Sequence, residues 1–305
     1  MAELVIPTVE DAARIAQLIN ERAAALGGAW VESAAGVARW FALPVLDPAQ
    51  DMRLAVDAEG TAGYADVSGP EDDTPEAWVD LRALSGRPEA LELLFGWAQE
   101  RAAERAGPGG RLRFFADERD SDFRASLEAA GFTVIRSSYE MERSLDGELE
   151  PPTWPAGIVV RPFDERDTRA VYAAHDEAFA DHWGYTPVSF EAWSSQNLTE
   201  DEDGDFSLWR IAWDGSDVAG VCINRPRHGD DDSTGWIGVL GVRRPWRRQG
   251  LGEALLRESF LEFRERGKRA AGLGVDAENT TGAVALYERV GLRVVRRSDT
   301  WERIA

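Results

Sequence analysis

Apolar and polar positions along this chain follow two periods, and the order of the periods occurs twice. In the later half the pattern predicts strand 158–162, helices 165–180 and 188–197, and strands 206–214, 217–225 and 234–242. Helix 250–267, strand 271–276, helix 281–290 and strand 292–303 complete it. The earlier half predicts strands near 52–57, 61–67, 76–82, 111–116 and 132–142, with helices near 10–26, 32–40, 88–106 and 120–130. Antiparallel meanders with a few flanking helices imply an α+β fold built on a mixed α/β sheet. Strand 234–242, helix 250–267 and strand 271–276 read as one right-handed parallel crossover.

The two halves also match in detail. Leu4-Val5-Ile6-Pro7 leads into a helix as Val159-Val160-Arg161-Pro162 does, and Pro7 and Pro162 lie 155 residues apart. Leu127-Glu128-Ala129-Ala130-Gly131-Phe132 parallels Tyr287-Glu288-Arg289-Val290-Gly291-Leu292, with the glycines 160 apart, each a helix stop before a last strand. Such offsets indicate a tandem duplication, with domains at 1–147 and 156–305 joined by 148–155, an acidic, proline-containing stretch.

The formal charge of −21 argues against a nucleic-acid partner. It is uneven: residues 1–150 carry 29 Asp and Glu against 14 Arg, and residues 151–305 carry 26 against 20 Lys and Arg. No apolar run is long enough for a bilayer, and Met1-Ala2-Glu3-Leu4 does not begin like an export signal, so a cytoplasmic location and no membrane partner are expected. The single Cys222 excludes an internal disulfide, and His175, His182 and His228 lack metal-site spacing, so no metal is expected. The oligomeric state is not legible.

Chemistry concentrates at Arg247-Arg248-Gln249-Gly250-Leu251-Gly252, between the run 236–242 and a long helix. Glycines at a strand–helix turn let backbone approach a ligand, and the unpaired N–H groups of a first helical turn attract anions. Arginines gather there in an acidic chain, which points to a phosphorylated cofactor.

The run Leu240-Gly241-Val242-Arg243-Arg244-Pro245-Trp246-Arg247-Arg248-Gln249-Gly250-Leu251-Gly252 resembles the acetyl-CoA-binding motif of the GNAT acetyltransferases. Val275-Asp276-Ala277-Glu278-Asn279 and Ala283-Val284-Ala285-Leu286-Tyr287-Glu288 resemble the second cofactor segment of that family. The likeness covers most of 156–305 and reaches 1–147 through the repeat. It implies two tandem GNAT-like domains in an acetyl-CoA-dependent N-acetyltransferase that acts on a primary amine of a small molecule by direct attack. The acceptor stays open between a cysteinyl pseudo-disaccharide amine, another small amine and a peptide N-terminus. A CoA-binding protein without catalysis is the other class.

The resemblance also implies roles. Backbone groups of Leu240, Gly241 and Val242 would hold the pantetheine arm, and those from Arg248 through Gln249, Gly250, Leu251 and Gly252 the diphosphate. Arg247 and Arg248 either touch phosphates or stay solvated. Asn279 either orients the cofactor or caps the following helix. Tyr287 would be general acid to the departing thiolate, its alternative being plain packing on the sheet. The carboxylate that relatives often place on the fourth strand is missing from 235–242. Asp181 and His182 are therefore the catalytic candidates on the acceptor side, with Trp183, Tyr185 and Glu191 lining the acceptor, unless the cluster is a solvated helix end. In the first half the matching turn, Leu84-Ser85-Gly86-Arg87-Pro88-Glu89, has one glycine and an acidic residue, so that domain is expected not to bind cofactor.

Overall fold

The computed structural model describes residues 1–305 apart from 29–31, 44, 71–73, 184, 186, 199–204, 230 and 280. The chain forms two compact units, one of Met1–Ser138 with Arg296–Ala305 and one of Tyr139–Val295. This differs from the expected division at 148–155. Met141, Leu145 and Leu149 are buried in the core of the second unit, and Trp154 packs against it. Full burial of a Met or Leu side chain stabilises by about 1.5–3 kcal/mol, so these three fasten the stretch despite its acidic composition.

In the first unit β1 (Glu3–Val5), β2 (Met52–Asp57), β3 (Gly60–Ser68) and β4 (Glu76–Ala83) pair antiparallel in sequence order. Strand β5 (Arg111–Asp117) joins parallel to β4. The chain's last strand, Arg293–Ile304, then pairs antiparallel with β5 from Ser298 to Ile304. Helices α1 (Ala12–Ala25), α2 (Ala34–Trp40), α3 (Pro48–Asp51), α4 (Pro88–Ala106) and α5 (Ser121–Ala129) accompany this sheet. The short α3 was not expected, because four residues carry no readable period; Asp47 caps it by accepting from Ala49 N–H. Ala90, Leu94, Phe95, Ala98 and Ala102 form the buried stripe of α4 and pack into the unit's core at helical spacing.

The second unit contains the end of β6 (Thr133–Ser144), then β7 (Ile158–Arg161), α6 (Thr168–Phe179), α7 (Phe190–Asn197), β8 (Arg210–Asp214) and β9 (Asp217–Arg225). There follow β10 (Thr234–Val242), α8 (Leu251–Glu265), β11 (Ala270–Asp276) and α9 (Ala283–Arg289), and β12 (Arg293–Ile304) closes the chain. Strands β7 to β10 pair antiparallel in order, β11 runs parallel to β10, and β6 lies beside β11. The strand expected at 206–214 begins only at Arg210, because Asp205 caps a 3-10 turn over Phe206–Leu208. The α+β expectation with a mixed sheet in each half is met. Among the described residues no helix is long and apolar enough to cross a membrane.

One detail of register positions the site. Parallel pairing of β10 with β11 runs from Thr234 and Ala270 to Ile237 and Leu273 and then stops. Pairing of β10 with β9 continues to Val242 and Gly220, past a bulge between Ile237 and Val239. Among the described residues, the β11-facing edge of β10 from Gly238 to Val242 is thus left without a strand partner. The two strands part as a V whose vertex is the Ile237–Leu273 pair.

Candidate active site

The V opens into a cleft of about 510 Å³. Leu240, Gly241 and Val242 of β10 form one wall, and Ala283, Leu286 and Tyr287 of α9 form another. The turn into α8 closes one end with Arg247, Arg248 and Gly250 to Glu253. Gly241 has a packing reason as well: a Cβ there would stand 3.0 Å from Ala178 Cβ and 3.4 Å from the Phe179 ring, so its absence lets α6 lie on the strand.

The turn has the conformation an anion cradle needs. Gly250 has φ +86°, and Arg248 has φ +62°, the one positive value at a non-glycine position among the described residues. Ala254 is the first residue whose N–H bonds back, to the Gly250 carbonyl at 3.0 Å. Among the described residues the N–H groups from Arg248 to Glu253 have no main-chain acceptor, and all but that of Gln249 belong to cleft-lining residues. At Gly250 a Cβ would have nothing within 4 Å, and at Gly252 its nearest neighbour would be Leu286 at 3.4 Å, so both sites are open to a ligand. Such a set of donors fits a diphosphate.

The arginines divide their work. Arg247 is engaged throughout, donating to the Val242 carbonyl (3.0 Å), the Ala178 carbonyl (3.2 Å) and Asp181 (3.0 Å). Arg248 is exposed, lines the cleft and has no protein partner among the described residues. Gln249 does not line the cleft; its side-chain amide donates to the Pro245 carbonyl at 2.9 Å and braces the turn. Leu251 is a buried anchor of α8.

Asp181 differs from the expected catalytic group. Its carboxylate accepts from Arg244 (2.7 Å) and Arg247 (3.0 Å), and these bonds hold it down to a pKa of about 2. A carboxylate so stabilised as an anion is a poor base. Together with Glu177, which accepts from Arg243 Nε at 2.6 Å and from the Arg244 N–H at 3.2 Å, it ties the end of α6 to the turn.

His182 lines the cleft as expected. Burial lowers its pKa, with Asp276 and Asp181 opposing and Arg247 reinforcing the shift, so the imidazole is neutral near pH 7. Its ring stands edge-on to Phe179 at 4.5 Å. The proposed acceptor-lining residues are not brought there. Trp183 is exposed, Glu191 is exposed on α7, and neither lines the cleft. Tyr185 turns its hydroxyl to Asp176, and burial, reinforced by that hydrogen bond, raises its pKa. Asn279 likewise acts locally: Oδ1 accepts from the Thr281 N–H at 2.8 Å and from the Thr281 hydroxyl, an Asx turn ahead of α9. Ala178, Glu253, Thr281 and Gly282 line the cleft unforeseen, since nothing in their local pattern separates them from ordinary helix and turn residues.

Tyr287 is 7 % exposed, packs in the core of the second unit and borders the cleft. Burial, with Cys222 nearby, raises its pKa, so the phenol keeps its proton. Its hydroxyl has no hydrogen-bond partner among the described residues. Cys222 lies fully buried, 3.4 Å from both Ser259 Oγ and Asn224 Oδ1, with its thiol pushed up to about 12 by burial. Such a thiol is no nucleophile. Among the described residues no cluster of His, Cys, Asp and Glu could hold a metal ion.

Comparison with known proteins places this arrangement. Residues 168–292 match the sequence profile of the Acetyltransferase (GNAT) family. A mycothiol acetyltransferase of Actinosynnema mirum is 32% identical over 244 residues, 78% of this chain and 79% of the relative. One of Streptomyces coelicolor is 29% identical over 81% of this chain and 78% of its own. The crystal structure of a GCN5-related N-acetyltransferase from Sphaerobacter thermophilus superposes with TM-score 0.79 and 30% identity, over 99% of this chain and 95% of that one. A tandem GNAT protein of clavulanic acid biosynthesis, 16% identical, shares the fold across 100% of this chain and 98% of its own with TM-score 0.72. The chain belongs to the GNAT family of acetyl-CoA-dependent acetyltransferases.

Proposed function

We propose that this chain N-acetylates a primary amine of a small molecule, with acetyl-CoA held in the second unit. When bound, acetyl-CoA supplies an activated acyl carbon with a thiolate leaving group. The N–H groups from Arg248 to Glu253 bind its diphosphate, and Arg248 adds a free positive charge. The unpaired edge of β10 from Gly238 to Val242 offers main-chain donors and acceptors to an extended amide chain, as a sheet edge does to a peptide. Tyr287 holds a proton on its Oη for the departing sulfur. Cys222, the one cysteine, is fully buried with its thiol held protonated and is unfit to form an acyl-enzyme, which supports direct attack by the amine.

The observation that carries this reading is the meeting of the N–H turn, the unpaired strand edge and the Tyr287 phenol in one cleft. Of the two acceptor-side groups expected, His182 alone keeps base chemistry. It lines the cleft within electrostatic reach of Arg247 and Asp276. The first unit is read as a copy without donor binding. Its α4 begins at Pro88, which has no N–H, the Ala90 and Leu91 N–H groups bond back to the Arg87 carbonyl, and Arg87 itself pairs with Asp57 and Glu59.

The relatives named mycothiol acetyltransferase make a cysteinyl pseudo-disaccharide amine the first acceptor to try. A panel of that amine, simple alkylamines and peptide N-termini, assayed for free CoA thiol, tests the function. Thiol release that requires an amine supports it. Release without any acceptor would mean hydrolysis, and CoA binding without release would mean a non-catalytic binder, the reading that the bare fourth strand favours.

A further inference from the structure

The two units place different residues at the same crossing of their sheets. In the first, Trp78 of β4 lies opposite Arg113 of β5, which lies opposite Glu302 of the chain's last strand. Arg113 neutralises that site: it donates to Glu302 at 2.9 Å and to Glu76 at 2.8 Å, and its guanidinium lies 4.6 Å from the centre of the Trp78 ring. In the second unit Trp236 of β10 lies opposite Gly272 of β11, and Glu142 of β6 flanks that glycine. A Cβ at Gly272 would stand 2.8 Å from the Trp236 ring and 3.3 Å from Glu142 Cγ. Glycine thus stands where the first unit has its arginine, and Glu142 has no hydrogen-bond or ion-pair partner among the described residues.

This unpaired carboxylate sits at a telling place. Trp236 and Gly272 are the pair immediately before Ile237 and Leu273, the vertex of the V. Phe263 of α8 packs against Gly235 on one face of β10, and successive side chains alternate, so Trp236, with Glu142 beside it, occupies the other face. A half-buried carboxylate without a partner is unfavourable for folding, and it is left free to take up a proton. The charged groups on its side are Asp231 from the β9–β10 connection, Arg225 opposite Trp236, and Glu140 two residues earlier on β6, 3.7 Å from His228 Nε2. Burial, reinforced by Asp231, raises the Glu142 pKa, which strengthens it as a base.

We propose that Glu142 is the general base of the second unit, taking over from the carboxylate missing on β10. This deepens the acetyltransferase reading and rests on it. Glu142 accepts one proton from the acceptor's ammonium group, leaving a neutral amine. The nitrogen lone pair forms the C–N bond as the C–S bond breaks, and Tyr287 gives its proton to the sulfur that takes the bond's electron pair. A second proton leaves the nitrogen and restores Tyr287, while the first passes from Glu142 to water.

The test is Glu142→Gln in the full chain, beside the wild type, with an amine that the wild type acetylates. Loss of a general base lowers kcat by roughly 10²–10⁴-fold. The expected result is such a loss with an unchanged KM for acetyl-CoA and an unchanged or higher Tm, since the variant removes an unpaired, half-buried charge. The deficit should narrow as pH rises toward the pKa of the amine, where no base is needed. Glu142→Asp, which keeps the carboxylate, should recover part of the rate. Turnover by Glu142→Gln within about threefold of wild type, or a loss that follows a fall in Tm and is the same at every pH, would overturn the assignment. A wild type that transfers acetyl to no amine would overturn the acetyltransferase reading together with it.

Discussion

Asp181 Oδ2 accepts from Arg247 Nη1 at 3.0 Å, and this contact ties the chain after α6 to the strand–helix turn that carries the free N–H groups. The other Arg247 bonds, to the Val242 and Ala178 carbonyls, make the arginine a rivet of the cleft and leave the exposed Arg248 as its unengaged charge among the described residues. Positive charge beside this turn is thus split between a structural arginine and a free one.

Asp181→Asn should therefore loosen the turn before it touches chemistry. KM for acetyl-CoA is expected to rise about tenfold, equivalent to about 1.4 kcal/mol of binding, with a smaller change in kcat. Steady-state kinetics with varied donor decides it; a fall in kcat alone would return Asp181 to the catalytic group. The pH dependence has a definite sign. The Asp181 pKa is depressed in the fold to about 2, from about 3.9 in an unfolded chain, so its anchor is intact above pH 5 and is lost as pH falls from about 4 toward 2.

Tyr287→Phe removes only the phenolic oxygen from a buried ring. Turnover should fall by roughly 10²–10⁴-fold while CoA affinity, measured by calorimetry, stays within about threefold. Equal losses in both would make Tyr287 a binding residue.

Gly252→Ala and Gly250→Ala separate two kinds of glycine. At Gly252 a Cβ meets Leu286 at an ordinary 3.4 Å, so the variant should fold normally and lose donor affinity through lost approach. At Gly250 there is room for a Cβ, yet φ is +86°, so alanine costs about 1–2 kcal/mol in the backbone. Thermal melts with and without CoA distinguish the two: a lower Tm without ligand is expected for Gly250→Ala only.

Cys222→Ala should keep most of the turnover, and the native thiol should resist alkylation at pH 8, because burial holds its pKa near 12. Loss of activity with an intact fold would reopen the covalent route.

Much of this arrangement could be read along the chain because it is local. The glycine turn, the helix it opens and Tyr287 on the next helix each show in short windows, and the structure assembles them around one cleft. What could not be read depends on partners far away. Asp181 looked free to serve the acceptor side because its arginines lie 63 and 66 residues further on. Tyr185 looked available until Asp176 took its hydroxyl. Glu142 was invisible as a member of the second unit, since it belongs in sequence to the first repeat and reaches β11 only through the course of β6. The compact units divide the chain elsewhere than at 148–155 for the same reason, as the last strand of each repeat straddles them.

The central claim, that main-chain N–H groups at the start of α8 grip the donor, is tested most directly by amide hydrogen exchange with and without CoA. Exchange should slow at Arg248 to Glu253 and along β10 from Val239 to Val242, and stay unchanged at Ser85 to Leu91 of the first unit. Protection confined to the first unit, or none in the turn, would contradict the account.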